Sequence, residues 1–265
     1  MASVYLKCRL CNNLHQIAVA YAHSLLMDEP CFITGRARFF STDWFPNWDK
    51  RITIGLWQKP KYSKIFTDGQ HTTWRNPVKL PPHEKNLLFY GQFESSQYFR
   101  GFEAEIKKLY FCEVKPQNVT AIHIRLTDIL RPGAEHITLP VSYYWEAMSC
   151  IGAKKYVICS DDIPQCKKWF GGSRFEFREG TSGYEDWLFL RGCENLIMSN
   201  STFSWWAAYL GMADKIICPS RWLKCPDDSF KFEPNWRILD VRPERNEKGC
   251  WDSDSWRGRS IPFLG

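Results

Sequence analysis

Three short polar stretches of the chain contain side chains that could bind a phosphate group. They are Arg125 with Thr127 and Asp128, then residues 160–162 (Ser-Asp-Asp), and then residues 200–202 (Asn-Ser-Thr). A guanidinium can hold phosphate through two hydrogen bonds, and the hydroxyl and N–H groups at the start of a helix attract the same anion. Carboxylates can accept hydrogen bonds from the N–H groups of a nucleotide base. These residue types therefore favour a nucleotide-like ligand.

Each of these stretches follows a segment with a strand pattern. The predicted elements are strand 119–125, helix 143–151, strand 156–160, helix 163–170, strand 174–177, helix 184–193, strand 196–198, helix 203–211 and strand 215–218. This alternation with short connections predicts a parallel sheet flanked by helices, a Rossmann-like domain. Ligands of such sheets bind beyond the carboxyl ends of the strands, so we expect the three stretches to meet in one crevice.

Every candidate also has a purely structural interpretation. Arg125 could form an ion pair with Asp128, while Asp161 and Asp162 are residue types that cap helices. His123 lies within a strand pattern, where a histidine is more often part of the core. The convergence of the three stretches at one sheet edge favours the binding site over these separate explanations.

The amino-terminal half has a weaker pattern. It predicts a strand at 4–6, a helix through 14–25 capped by residues 11–13, a strand at 87–91 and a helix at 102–111, with an irregular region at 39–82. We therefore predict three parts, an acceptor-side α/β domain at 1–115, a Rossmann-like domain at 116–240 and a tail at 241–265 that packs back on the first domain.

Bulk composition narrows the classes of function. The 265 residues are 44% hydrophobic, enough for sizeable cores, and the net charge of +6 is scattered without a basic block. Acidic small molecules fit this charge, and a nucleic-acid partner is not expected. No apolar run is long enough to span a membrane, and residues 12–16 are too polar for a signal peptide. We expect a soluble, cytoplasmic protein.

The eleven cysteines include a single C-x-x-C pair, Cys8 with Cys11. No second pair stands at the spacing of a zinc site, so no metal site is expected. The other cysteines are spread through strand and helix patterns, where reduced, buried thiols are the default.

Several motifs together resemble glycosyltransferase family 11, the alpha-1,2-fucosyltransferases. They are 90–99 (YGQFESSQYF), 123–128 (HIRLTD), 160–162 (SDD), 185–186 with Cys193, 199–210 (SNSTFSWWAAYL) and 219–222 (PSRW). The resemblance implies a GT-B-like chain of two Rossmann-like domains with the donor site in the C-terminal one. It implies an inverting transferase that needs no metal or other cofactor and moves L-fucose from GDP-fucose to a hydroxyl of an oligosaccharide or glycoprotein, with alpha-1,2 linkage.

The resemblance also implies roles for individual residues. Arg125 would hold the donor diphosphate and stabilise the leaving GDP. An inverting displacement also needs a base for the acceptor hydroxyl, and Asp128 and Glu135, in the loop after the first strand, are the candidates. Each also has a structural alternative, Asp128 as the residue that orients Arg125 and Glu135 as a solvated carboxylate. The expected donor-binding residues are His123, Arg125, Asp161, Asp162, Asn200, Ser201, Thr202, Phe203 and Asn12.

This chain departs from the family pattern at two places. Leu126 and Thr127 stand where the family commonly has Arg and Gly, and residues 8–13 (CRLCNN) replace the glycine-rich GGLGNQ turn while keeping Asn12. Two alternatives therefore stay open, a transferase with another nucleotide-sugar donor and a non-catalytic glycan- or nucleotide-binding relative. An RNA-binding protein ranks last.

Overall fold

A computed structural model of the chain describes residues 1–35, 40–55, 61–68, 77, 79–130, 136–224 and 231–241. The chain folds into two compact units. Within the described ranges, the first contains residues 1–114 and 231–233, and the second contains 115–224 and 234–241. The predicted packing of the 241–265 tail lies outside the described residues except for Val241, which belongs to the hydrophobic core of the second unit.

The first unit is a five-stranded parallel sheet with helices. Its elements are β1 (Ala2–Leu6), α1 (Leu10–Leu26), β2 (Cys31–Gly35), β3 (Ile52–Ile54), β4 (Lys64–Phe66), β5 (Leu87–Phe89) and α2 (Glu103–Leu109). The strand order is β3-β2-β1-β5-β4, and every described pairing is parallel. Because α1 connects the parallel neighbours β1 and β2, the chain begins with a β-α-β unit.

The structure corrects three predictions for this unit. The helix α1 starts at Leu10 with Arg9 in the N-cap position, so residues 11–13 lie inside the helix and do not cap it. The strand β2 was not predicted, because its five buried residues show no alternation. The region 39–82, predicted to be irregular, contains β3 and β4, whose three residues each are too few for a detectable period.

The second unit is a six-stranded parallel sheet. Its elements are β6 (Gln117–Ile124), α3 (Val141–Ile151), β7 (Tyr156–Ser160), α4 (Ile163–Trp169), β8 (Phe175–Phe177), α5 (Gly183–Gly192), β9 (Cys193–Ile197), α6 (Thr202–Leu210), β10 (Lys215–Pro219) and β11 (Arg237–Leu239). The order β11-β10-β9-β6-β7-β8 is, from the other edge, the 3-2-1-4-5-6 order of dinucleotide-binding sheets. The predicted fold class, two Rossmann-like α/β units, is confirmed.

The elements of the second unit match the sequence pattern closely. Each predicted strand and helix is present with ends within three residues of the prediction, and only the short edge strand β11 was missed. The central strands are buried on both faces, as Ala121, Ile122 and Ile124 of β6 show. Tyr143 of α3 donates from its hydroxyl to the carbonyl of Met198 at 2.8 Å, which fixes the carboxyl end of β9 against that helix.

Candidate functional site

The second sheet has one point where the chain reverses its direction of winding. From β6 the chain proceeds to β7 and β8 on one side, and from β9 it proceeds to β10 and β11 on the other. β6 and β9 are neighbours, so the loops after their carboxyl ends face one another. In open α/β sheets this switch point is where ligands bind.

Arg125 follows β6 at this point, and its guanidinium donates hydrogen bonds to Ser201 and to Asp128. Its Nη1 donates to Ser201 Oγ at 3.1 Å, which joins the loops after β6 and β9. Its Nε donates to Asp128 Oδ1 at 2.7 Å, and its Nη2 donates to the other oxygen of the same carboxylate. This bidentate pair holds the guanidinium in one orientation, so Asp128 is a positioning residue for Arg125.

Ser201 is the N-cap of α6. Its Oγ accepts a hydrogen bond from the N–H of Phe203 at 3.3 Å, in addition to the one from Arg125. Thr202 is the first residue of the helix and is buried. The positive end of the helix dipole and the guanidinium therefore meet at one place, an arrangement that suits an anion with more than one charge.

Asn200 lies directly before this cap but is fully buried. Its side-chain amide donates to the carbonyls of Ile137 at 2.7 Å and Trp222 at 3.0 Å. The side chain therefore holds two distant segments against the start of α6. Sequence reasoning missed these two contacts, because both are made to backbone carbonyls and no local pattern connects Ile137 or Trp222 to Asn200.

His123 and Phe203 form an aromatic pair beside Arg125. Their ring centroids are 5.1 Å apart, and His123 is buried within β6. Burial, followed by the nearby positive charge of Arg125, lowers the pKa of His123 to about 3. The imidazole is therefore neutral at physiological pH, and its Nδ1 has no hydrogen-bond partner among the described residues.

The two aspartates after β7 shape the neighbouring loop. Asp161 accepts hydrogen bonds from the N–H groups of Leu126 at 2.8 Å and Thr127 at 3.2 Å, and from the Thr127 hydroxyl at 2.5 Å. Asp162 is the N-cap of α4 and accepts from the N–H of Gln165 at 3.0 Å. The structure thus gives both carboxylates backbone partners, and Asp161 fixes the loop that carries Arg125.

Comparison with known proteins identifies the family. A profile of glycosyl transferase family 11 matches residues 77–239. This chain belongs to glycosyl transferase family 11. The resemblance that the motifs indicated is confirmed, and the matched range contains every predicted site residue except Asn12.

The family 11 chain is 33% identical over 147 residues to the O-antigen biosynthesis glycosyltransferase WbnK of Escherichia coli, and this alignment covers 51% of this chain and 48% of that protein. It is 26% identical over 171 residues to galactoside alpha-(1,2)-fucosyltransferase 1 of Oryctolagus cuniculus, covering 57% and 44%. The chain thus spans about half the length of these curated relatives. Among solved structures, the fucosyltransferase NodZ from Bradyrhizobium aligns at a TM-score of 0.43 with 12% identity, over 82% of this chain and 95% of that one.

A second arginine of the family 11 chain provides a reference for Arg125. Arg178 follows β8, at the edge of the same sheet, and its Nε donates to Asp186 Oδ1 at 2.7 Å. Its guanidinium lies 4.2 Å from the centre of the Phe189 ring. Both arginines therefore follow a strand and pair with an aspartate, but Arg125 is the one at the switch point.

Two predicted site residues are not part of this cluster. Asn12 belongs to the first unit, where its amide donates to Gln92 Oε1 at 3.2 Å and Glu94 Oε1 at 3.0 Å. Glu135 lies outside the described residues. The described part of the chain contains no helix that is both long and apolar enough to cross a membrane, and no cluster of three or more metal-binding side chains.

Proposed function

We propose that this chain transfers L-fucose from GDP-fucose to a hydroxyl of a glycan acceptor, an oligosaccharide or a glycoprotein, forming an alpha-1,2 linkage with inversion and without a metal ion. The observation that carries the proposal is the 3.1 Å contact between Arg125 and Ser201 at the switch point of the second sheet. A fixed cation and a helix N-terminus at one point provide a site for a diphosphate. Membership of family 11 supports fucose as the transferred sugar.

In this proposal Arg125 neutralises the charge that develops on the departing GDP. Its cation acts where a metal ion acts in other transferases, because fixed charges stabilise a leaving group without rearrangement. Ser201, Thr202 and the first N–H groups of α6 hold the same diphosphate. The neutral imidazole of His123 and the ring of Phe203 form the surface against which the guanine base of GDP packs.

The remaining predicted residues have supporting roles. Asp161 holds the loop after β6, Asp162 caps α4, and Asn200 anchors the segment before α6. Asn12 stays a proposed donor-binding residue. We propose that Asp128 is not the catalytic base, because both of its oxygens accept hydrogen bonds from Arg125. Glu135 stays the candidate base, and its test is the loss of the acidic limb of the pH–rate profile in Glu135→Gln, because a base must be deprotonated to act.

The decisive experiment compares Arg125→Ala with Arg178→Ala. We expect Arg125→Ala to lower kcat for fucose transfer by about 100-fold or more and to weaken GDP binding in calorimetry. Arg178→Ala removes an arginine that also pairs with an aspartate, and it should leave both quantities unchanged. Full activity in Arg125→Ala, with unchanged GDP affinity, would exclude the proposed site.

Further measurements address the chemistry and the donor. Transfer should persist in the presence of EDTA, and the product should have the anomeric configuration opposite to that of the donor. Leu126 is uncharged and buried in the core, so it adds no second positive charge next to Arg125, where the family commonly has an arginine. A thermal-shift panel of GDP, UDP, ADP and their sugars therefore tests the donor, and preferential stabilisation by UDP or ADP would replace GDP-fucose. Binding of GDP-fucose without turnover would instead favour a non-catalytic relative.

A further inference from the structure

The C-x-x-C pair of the first unit lies where a strand passes into a helix. Cys8 follows β1, and Cys11 lies in the first turn of α1. Of the nine cysteines in the described ranges, Cys8 is the exposed one, Cys150 is half-buried and the other seven, including Cys11, are buried. Neither member of the pair has a role in the proposed transfer reaction.

The backbone at Cys8 has an unusual conformation. Its φ angle is +73°, in the left-handed region that favours glycine, and the family's glycine-rich turn has its first glycine at this position. A side chain other than that of glycine is strained in this region. The conformation therefore needs support from the surrounding structure.

Side chains of α1 provide that support on the amino-terminal side of Cys8. The N–H of Lys7 donates to Gln16 Oε1 at 3.1 Å, and the carbonyl of Lys7 accepts from Asn13 Nδ2 at 2.9 Å. On the other side, the N–H of Asn13 donates to the carbonyl of Arg9 at 3.0 Å, the first hydrogen bond of the helix. The turn between the two cysteines is therefore held at both ends.

This local arrangement is that of a dithiol redox site. A C-x-x-C pair between a strand and a helix, inside a parallel β-α-β unit, is the sequence pattern of such sites, and here the first thiol is exposed and the second is buried. Cys8 Sγ also accepts a hydrogen bond from Gln92 Nε2 at 3.5 Å, so a side chain from the loop after β5 orients it. Both cysteines are thiols in this structure.

We propose that Cys8 and Cys11 form a redox-active dithiol that a low-molecular-weight disulfide such as oxidised glutathione converts into an intramolecular disulfide. The thiolate of Cys8 attacks one sulfur of the small disulfide and releases one small thiol, leaving a mixed disulfide on Cys8. The thiolate of Cys11 then attacks the Cys8 sulfur and releases the second small thiol. Two protein thiols are oxidised, one small disulfide is reduced, and the protons pass to the two released thiols.

The test is mass spectrometry of the full chain after equilibration with oxidised or reduced glutathione and alkylation of the remaining thiols. Trypsin cleaves after Lys7 and after Arg9, between the two cysteines, so their disulfide joins two separate peptides. We expect oxidised glutathione to remove two of the eleven alkylatable thiols and to yield the cross-link between Cys8 and Cys11. Fragmentation distinguishes Cys11 from Cys31, which lies in the same tryptic peptide.

Variants at three cysteines complete the experiment. Cys8→Ser and Cys11→Ser should each abolish the cross-link, and Cys11→Ser should leave Cys8 as a stable mixed disulfide with glutathione. Cys150→Ser, which removes the half-buried cysteine of α3, should keep the cross-link. The proposal is overturned if the natural chain keeps both thiols under oxidised glutathione, if Cys8 stops at the mixed disulfide, or if Cys8 pairs with any cysteine other than Cys11.

Discussion

Each of the two sheets has a switch point, and the ion pairs at these two points differ in accessibility. In the first unit the point lies between β1 and β5, and in the second it lies between β6 and β9. Each carries an ion pair, Lys231 with Glu94 in the first and Arg125 with Asp128 in the second. The side chains of the first pair are 1% and 8% exposed, whereas those of the second are 21% and 28% exposed.

The difference in burial separates a structural pair from a binding pair. Lys231 and Glu94 satisfy each other inside the first unit, and Asn12 donates to the same carboxylate. Arg125 is accessible and is also joined to the N-cap of α6, so an anion can approach it. Sheet topology thus fixes where a polar cluster forms, while burial decides whether that cluster can meet a ligand.

The largest expected effect comes from breaking the buried pair. Lys231→Met leaves the Glu94 carboxylate in the interior without its cation, and we expect the free energy of unfolding to fall by about 3–5 kcal/mol in urea titrations. The double variant Glu94→Gln with Lys231→Met should recover most of this loss, because no buried charge remains. Lys64→Met, which breaks the exposed pair with Glu84, is the control and should cost less than about 1 kcal/mol. A loss of similar size in Lys231→Met and Lys64→Met would contradict the assignment of a buried pair.

A buried histidine lies near each of the two ion pairs, and these histidines make both units sensitive to acid. The pKa values of His15 and His123 are each lowered to about 3, chiefly by burial. Below the ordinary value of 6.5 the unfolded chain binds protons that the folded chain does not. The free energy of unfolding should therefore keep its full value, as far as these two histidines are concerned, above pH 6.5. It should fall as the pH decreases toward 3, by up to about 1.4 kcal/mol per pH unit for each histidine.

Urea unfolding of the natural chain and of His123→Asn between pH 7 and pH 4 checks this prediction. The variant is expected to be less stable at pH 7, and the difference should shrink steadily as the pH decreases. A difference that is constant over the whole range would mean that His123 is protonated equally in both states.

Much of the second unit could be predicted because its signals are local. Buried strands alternate with helices along 117–219, and the rule for parallel sheets then places Arg125 and Ser201 at one edge. The structural alternative was also correct for Asp162, which is an N-cap. The role of Asn200 was less predictable, because the carbonyls that it holds belong to Ile137 and Trp222, which no local pattern connects to it.

The first unit was predicted less well, because its signals are short or join distant parts of the sequence. Strands β3 and β4 have three residues each and owe their existence to pairing with longer neighbours. The pair of Glu94 and Lys231 joins positions 137 residues apart, so no spacing rule could suggest it. Residues 11–13 looked like a cap, but Asn12 and Asn13 direct their amides to Glu94 and to the backbone of Lys7 from inside α1.

The smallest expected effect distinguishes a helix cap from a ligand site within the second unit. Ser201 caps α6 and contacts Arg125, whereas Ser182 caps α5 in a capping box with Glu185. Replacing either serine with alanine removes a cap and should lower the free energy of unfolding by about 1 kcal/mol. Ser201→Ala should in addition weaken GDP binding by about tenfold, because the hydroxyl that it removes both orients Arg125 and is proposed to face the diphosphate. The measurement is calorimetry with GDP on both variants. If Ser201→Ala and Ser182→Ala bind GDP with equal affinity, the hydroxyl of Ser201 is only a helix cap, as that of Ser182 is, and it does not contribute to the ligand site.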